Sequence, residues 1–169
     1  MPTSLATTAT PSSADTDTLV PPYDPAAGGD LALGRLAHLS SFNMRLTLSY
    51  MMAAWFREAG SLGLKPSEFA LLSLVESNPN VSALVIANAL NIGLPNVVAL
   101  VGKLSRDGLL ARQPDPLDRR RQLLTLTEAG SQRVKTVGQA VQAADDSITC
   151  KLSPRDLLEL NQLLADLRT

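Results

Sequence analysis

The sequence predicts a mainly α chain of the α+β class, several helices carrying one short two-stranded hairpin, and three observations carry that expectation. Apolar residues recur at three- and four-residue spacing through most of the chain beyond residue 30. One stretch breaks the period. Leu109-Leu110-Ala111-Arg112 and Gln122-Leu123-Leu124-Thr125-Leu126 are short runs flanking the turn-rich Gln113-Pro114-Asp115-Pro116-Leu117-Asp118, whose prolines and aspartates cannot continue a helix. Finally, only 4% of residues are aromatic within a 45% hydrophobic total, which suits a helical core of Leu, Val, Ala and Met.

Residues 1–25 are rich in Thr, Ser, Ala and Pro with little to bury, and read as a disordered tail. The alternative is that Leu19, Val20 and Tyr23 dock on a partner subunit. Residues 26–169 form one domain in this reading. Leu31 to Ala59 is expected as one long first helix, with Leu39, Phe42, Leu46, Tyr50, Ala53 and Phe56 on a single stripe, widened by Leu36, Met51, Met52 and Trp55. Gly60 and Gly63 end it. Pro66 fits the first turn of a second helix with Phe69, Leu72 and Val75 or Leu74 on its inner face. Ser82 is a good N-cap for a third helix carrying Val85, Ile86, Ala89 and Leu90. A turn at 91–94 leads to Pro95, which can open a fourth helix burying Val97, Leu100, Val101 and Leu104. Its outer side then holds Asn96, Ala99, Gly102, Lys103 and Arg106. After the hairpin, Thr127 caps a long helix with Val134, Val137, Val141, Ala144 and Ile148 spaced 3-4-3-4. Ser153, Pro154 and Asp156 start a last helix with Leu157, Leu160, Leu164 and Leu167 on one face.

Two short helices, a strand, a basic turn and a second strand make a winged helix-turn-helix, and charge agrees with a nucleic-acid partner. The formal net charge is −1, but four aspartates precede the first basic residue, Arg35. From residue 31 onward, 15 basic residues face 12 acidic ones, a net of +3. Between Lys103 and Lys135 there are eight basic and four acidic residues, a net of +4. A phosphate backbone responds to that local excess. Arg119, Arg120 and Arg121 sit at the hairpin tip, and Asp118 is placed to hold one guanidinium in a fixed direction. A planar, permanently charged fork suits a narrow minor groove.

The outer side of the fourth helix is sparing in hydrogen-bonding readers. Asn96 is suited to a bidentate contact with adenine, and Val98 or Ala99 to packing on a thymine methyl group. Lys103 and Arg106 are better placed for phosphates.

Other chemistry is thinly supported. One cysteine, Cys150, and one histidine, His38, leave no disulfide framework, and no metal or other cofactor is expected. No Gly-rich phosphate loop or paired carboxylate motif supports an enzyme. No apolar run approaches the ~18 residues of a membrane span, and the start of the chain lacks the basic segment and apolar core of a secretory signal. The expectation is a cytoplasmic protein without a membrane partner.

The order of elements from Ser82 to Gly130 resembles the MarR family of bacterial transcription regulators. Ile86-Ala87, Gly108-Leu109-Leu110 with Arg112, Asp118-Arg119-Arg120, and Leu126-Thr127 with Gly130 fall at that family's spacing. The resemblance covers roughly residues 31–167. It implies a repressor that binds a pseudo-palindromic double-stranded DNA operator as a homodimer. Residues 31–59 and 127–168 would be dimerisation helices and 65–126 the DNA-binding lobe. Arg120 would enter the minor groove with Asp118 as its orienting partner. The resemblance also implies a small-molecule pocket between dimer region and DNA lobe, often for aromatic carboxylates. His38, Ser41 and Arg45 could hold a carboxylate there, with Tyr50 and the more distant Arg57 nearby and Phe69, Met51 and Met52 along the ring. Related regulators that sense peroxide carry their cysteine near the start of the first helix, where this chain has none. Cys150 is therefore expected as a small buried or half-buried residue. The alternatives are a redox-sensing regulator using Cys150 and a winged-helix protein-interaction module without DNA binding.

Overall fold

A computed structural model describes residues 32–118 and 121–168. The expected tail, Arg119 and Arg120 lie outside the described residues. Gly34–His38 is a short 3-10 helix, followed by α1 (Ser40–Ala59), a 3-10 turn (Gly60–Leu62) and α2 (Pro66–Ser77). Then come β1 (Val81–Ser82), α3 (Ala83–Leu90), α4 (Leu94–Arg106), β2 (Leu110–Pro114), β3 (Gln122–Leu126), α5 (Glu128–Thr149) and α6 (Pro154–Asp166).

The expected first helix is thus two elements. Leu39 is extended (φ −90°, ψ 111°), and this single residue separates the 3-10 helix from α1. The most deeply covered side of α1 falls on the expected widening at Met51, Met52 and Trp55 more than on the central stripe. Ala54, Trp55 and Ala59 are buried with Met51 and Met52 half-buried, whereas Leu39 and Phe56 are exposed. The cause is tertiary. α5 packs along α1 and covers that side most closely, leaving Phe42, Leu46, Tyr50 and Ala53 half-buried in the single chain.

Helix ends follow local chemistry. Pro66 lies in the first turn of α2, and Glu68 Oε2 accepts the Lys65 backbone N–H at 3.0 Å, satisfying one orphan donor. Thr127 accepts the Gly130 N–H at 3.0 Å and donates to the Gly108 carbonyl at 2.6 Å. Ser153 accepts the Asp156 N–H at 3.2 Å. Ser82 stands at the N-cap of α3 with an extended backbone, but its buried hydroxyl makes no capping bond. Gly108 (φ 73°) closes α4, its N–H bonded to Ser105 O and the Leu109 N–H to Leu104 O. These paired bonds need a left-handed residue at that point.

The sheet is antiparallel with order β1-β3-β2, pairing Val81 with Leu124 and Leu110 with Leu126. The sequence predicts two strands. The third, β1, has two residues, too few to display any alternation. β2 runs on to Pro114, which pairs with Gln122 and is tolerated because β2 is an edge strand.

One core joins these pieces, with Trp55, Leu71, Leu72, Ile86, Val97, Leu104, Leu124 and Val137 at its centre. Val97, Val101 and Leu104 of α4 are buried as their spacing predicts, with Leu100 half-buried. Val85 and Ala89 of α3 are exposed instead of buried, because Ile86 and Ala87 take the inner side of that short helix. α6 buries none of its residues, and Leu160, Leu164 and Leu167 are exposed. Among the described residues, no single helix is long and apolar enough to cross a membrane.

Candidate nucleic-acid interface

The helix pair α3–α4 and the hairpin β2–β3 stand side by side, and one side chain ties them. Arg112, near the middle of β2, donates through Nε to Ser105 Oγ at 2.8 Å and through Nη2 to the Val101 carbonyl at 3.0 Å. Both acceptors belong to α4. The guanidinium fork therefore fixes the hairpin against the last two turns of the helix. Sequence reading counted Arg112 as a spacing match and missed this role.

On α4 the residues singled out for readout are exposed. Asn96, Val98, Ala99, Lys103 and Arg106 all lie on the open side, with Val98 52% exposed. Gly102, half-buried, lies between two cations. A Cβ there would sit 3.8 Å from Arg106 Nη1 and from Arg112 Nη2.

Lys103, expected as a phosphate contact, stands between two carboxylates. Its Nζ lies 2.8 Å from Glu68 Oε1 and 3.3 Å from Asp107 Oδ2. Glu68 is 1% exposed. The Lys103 pKa is raised above 10.5, first by its hydrogen bond to Glu68 and then by the charges of Glu68 and Asp107, with partial burial opposing. Glu68 precedes the first apolar position predicted for α2, and its charge gave no sign of burial.

The base of the wing is ordered by Asp115. Its N–H donates to the Arg121 carbonyl at 3.0 Å, and its Oδ1 accepts the Leu117 N–H at 2.9 Å. The Arg121 N–H donates to the Asp118 carbonyl at 2.8 Å, bringing the two ends of the tip together. Arg121 is exposed. Leu117, 96% exposed, projects from the same turn. Asp118 was expected to orient a guanidinium of the arginine run. Two members of that run, Arg119 and Arg120, lie outside the described residues.

The residues of the expected carboxylate-binding set lie on the 3-10 helix, α1 and α2. His38 is exposed on the 3-10 helix, and Ser41 is exposed at the start of α1. The Arg45 guanidinium is exposed, 5.1 Å from the centroid of the Phe42 ring. Tyr50 is half-buried, and Phe69 meets Trp55 edge-on at 5.4 Å between centroids. None of the five lines the apolar cavity beside α1. That cavity, about 180 Å³ and half-open, lies between α1 and α5, lined by Leu48, Met51, Met52, Trp55, Val141, Ala144 and Asp145. Met51 and Met52 were expected, whereas the α5 residues could not be paired with α1 by spacing alone. Cys150 is exposed instead of buried, because α5 ends at Thr149 and the chain turns away there.

Comparison with known proteins bears on this geometry. Residues 62–121 match the model of the MarR family, a span that takes in α2 through the arginine run. A transcriptional regulatory protein for the hcr operon of Thauera aromatica is 32% identical over 91 residues, 54% of this chain and 55% of that protein. The chain spans about half the length of the first curated relatives it matches. The structure of the repressor CouR bound to a 23-mer DNA duplex aligns with a TM-score of 0.77 at 27% identity, covering 83% of this chain and 99% of that one. That of BpsR from Bordetella bronchiseptica, whose DNA binding is regulated by 6-hydroxynicotinic acid, aligns at 0.73 and 22% identity, covering 78% and 94%.

Proposed function

We propose that this chain, whose residues 62–121 match the MarR family of transcription regulators, acts as a homodimeric repressor released from its operator by a small organic molecule. The observation that carries the reading is the Arg112 fork, which holds the wing in one orientation against the open face of α4. A helix that enters a major groove and a wing that reaches the neighbouring minor groove must keep a fixed separation. In this reading Asn96, Val98 and Ala99 face base edges, Arg106 meets phosphate, and Asp118 with Arg119, Arg120 and Arg121 serves the minor groove.

Residues 31–59 and 127–168 form the dimer region in this proposal, with 65–126 as the DNA lobe. Leu36, Leu39, Leu160, Leu163 and Leu164 are exposed in the single chain, and apolar surface on that scale is what a second copy covers. Effector release is supported by BpsR, in which a small aromatic acid regulates DNA binding. In this chain the cavity between α1 and α5 is the place for such a ring.

Footprinting on DNA flanking the gene, with sedimentation at micromolar protein, tests the proposal. Protection of two half-sites about one helical turn (~10 bp) apart by a dimer is expected. Arg120→Ala should weaken operator binding by ~1–3 kcal/mol, while Arg121→Ala flattens the salt dependence by ~0.9. A monomer, or a single unrepeated half-site, overturns it.

A second reading is a protein-interaction module. Leu84, Val85, Leu94 and Val98 are exposed apolar residues on the helix pair, which suits a protein partner as well as thymine methyl groups. Salt-independent, sequence-independent behaviour on DNA would favour that reading.

A further inference from the structure

We propose that the α1–α5 cavity takes an aromatic cation, a single ring bearing an amine or quaternary ammonium group, with Asp145 as its counter-ion. The inference rests on the reading of this cavity as the effector site and names the chemistry of the effector.

The walls are apolar and sulfur-rich on one side, Met51, Met52 and Trp55 of α1, and small on the other, Val141 and Ala144 of α5. At about 180 Å³ there is room for one substituted ring. Thioethers and an indole make favourable contacts with such a ring, and an indole face also attracts a cation.

Asp145 is the one ionisable residue in the lining. It is half-buried, and its carboxylate forms neither a hydrogen bond nor an ion pair among the described residues. No cation among the described residues forms an ion pair with Asp145. Arg45 stands over Phe42, Arg133 donates to the Leu62 carbonyl at 2.8 Å, and His38 is exposed on the 3-10 helix.

A ligand filling the cavity removes water from Asp145. A carboxylate so desolvated needs a cation or strong donors to offset the loss, and a ligand carboxylate would instead set a second negative charge beside it. The lining therefore opposes an aromatic acid. It also supplies an amine with both its charge partner and its aromatic surface. This chain differs here from BpsR, whose regulator is an acid.

Trp55 is the only tryptophan in the sequence and lines the cavity, so its fluorescence reports occupancy without DNA. The full-length protein is titrated with phenethylamine and benzyltrimethylammonium, then with benzoate and 4-hydroxybenzoate, and each is added to the protein–operator complex. Saturable change of Trp55 emission by the amines, at least tenfold tighter than by the acids, is expected. Asp145→Asn, which keeps shape and loses charge, should abolish that preference while circular dichroism remains that of the parent. Acids that bind more tightly than amines, or amine affinity unchanged in Asp145→Asn, overturn the inference. Amines that bind at Trp55 but leave the operator complex intact uphold the cavity chemistry and overturn the effector role instead.

Discussion

Lys103 Nζ lies 2.8 Å from the Oε1 of Glu68, a carboxylate closed off from solvent whose second oxygen receives the Lys65 backbone N–H. One buried carboxylate thus caps α2 and holds the last turn of α4. The pair joins two helices that the hydrophobic pattern alone would leave free to slide.

Glu68→Gln keeps an acceptor for the cap and removes the charge. It should cost about 1.5–3 kcal/mol of stability, the range for a lost hydrogen bond to a charged group, measured by urea unfolding. The pH dependence has a definite sign. Because the folded Lys103 pKa is raised above 10.5, its contribution is fully present below pH 10.5 and is lost as pH rises through the folded value. The parent should therefore lose stability above pH 10.5 more steeply than Lys103→Met. Parallel curves would remove the pair from the account.

The same geometry separates two basic residues of α4 in DNA binding. Lys103→Met should leave the salt dependence of operator affinity nearly unchanged, since Glu68 and Asp107 already hold that cation. Arg106→Met should flatten the slope by ~0.9, the value for one phosphate contact. Fluorescence anisotropy across a salt series reads both.

Gly130 is required by packing. A Cβ there would overlap the Leu109 carbonyl oxygen and lie 3.0 Å from its carbon, and backbone cannot swing aside as a side chain can. Gly130→Ala should destabilise by about 3 kcal/mol, the upper part of the range for overpacking. Thermal unfolding checks this, and a loss under 1 kcal/mol would mean that α5 can shift freely against the β2 entry.

Arg112→Lys retains charge but loses the fork that reaches both Ser105 and Val101. Because the side chain is exposed, the stability cost should be modest, about 1 kcal/mol. Operator affinity should fall by more than that, since the wing is no longer held against α4. Equal losses in the two measurements would make Arg112 a stabilising residue only.

Val98 offers an apolar tip to the groove. Val98→Ala removes two methyl carbons' worth of contact and should weaken binding by about 1 kcal/mol to a thymine-containing operator. With uracil in place of the contacted thymine, the parent and variant should bind alike. A persistent difference on the uracil site would place Val98 against something other than a base methyl.

Much of the fold is legible in residue order because the forces that set it are local. The spacing of Val97, Val101 and Leu104 marks the inner side of α4, and Thr127 and Ser153 satisfy orphan amides within three residues of themselves. The Pro- and Asp-rich turn can only interrupt a helix, so the hairpin is announced by composition. Packing decides the rest. Periodicity says that α1 is amphipathic, yet only the arrival of α5 selects Trp55 and Ala59 for full burial and leaves Phe42, Leu46 and Tyr50 half-buried. Glu68 is a charged residue in sequence and becomes a buried one because Lys103 of α4 comes within 2.8 Å of it. His38, Ser41 and Arg45 are near one another along the chain, but the extended Leu39 parts the first from the others. Asp145, a hundred residues away, faces the methionines they were expected to accompany. A capping bond or a helical period depends on neighbours a few residues off. A binding cavity depends on which faces meet across the molecule, and that is settled by the summed burial of all the helices together.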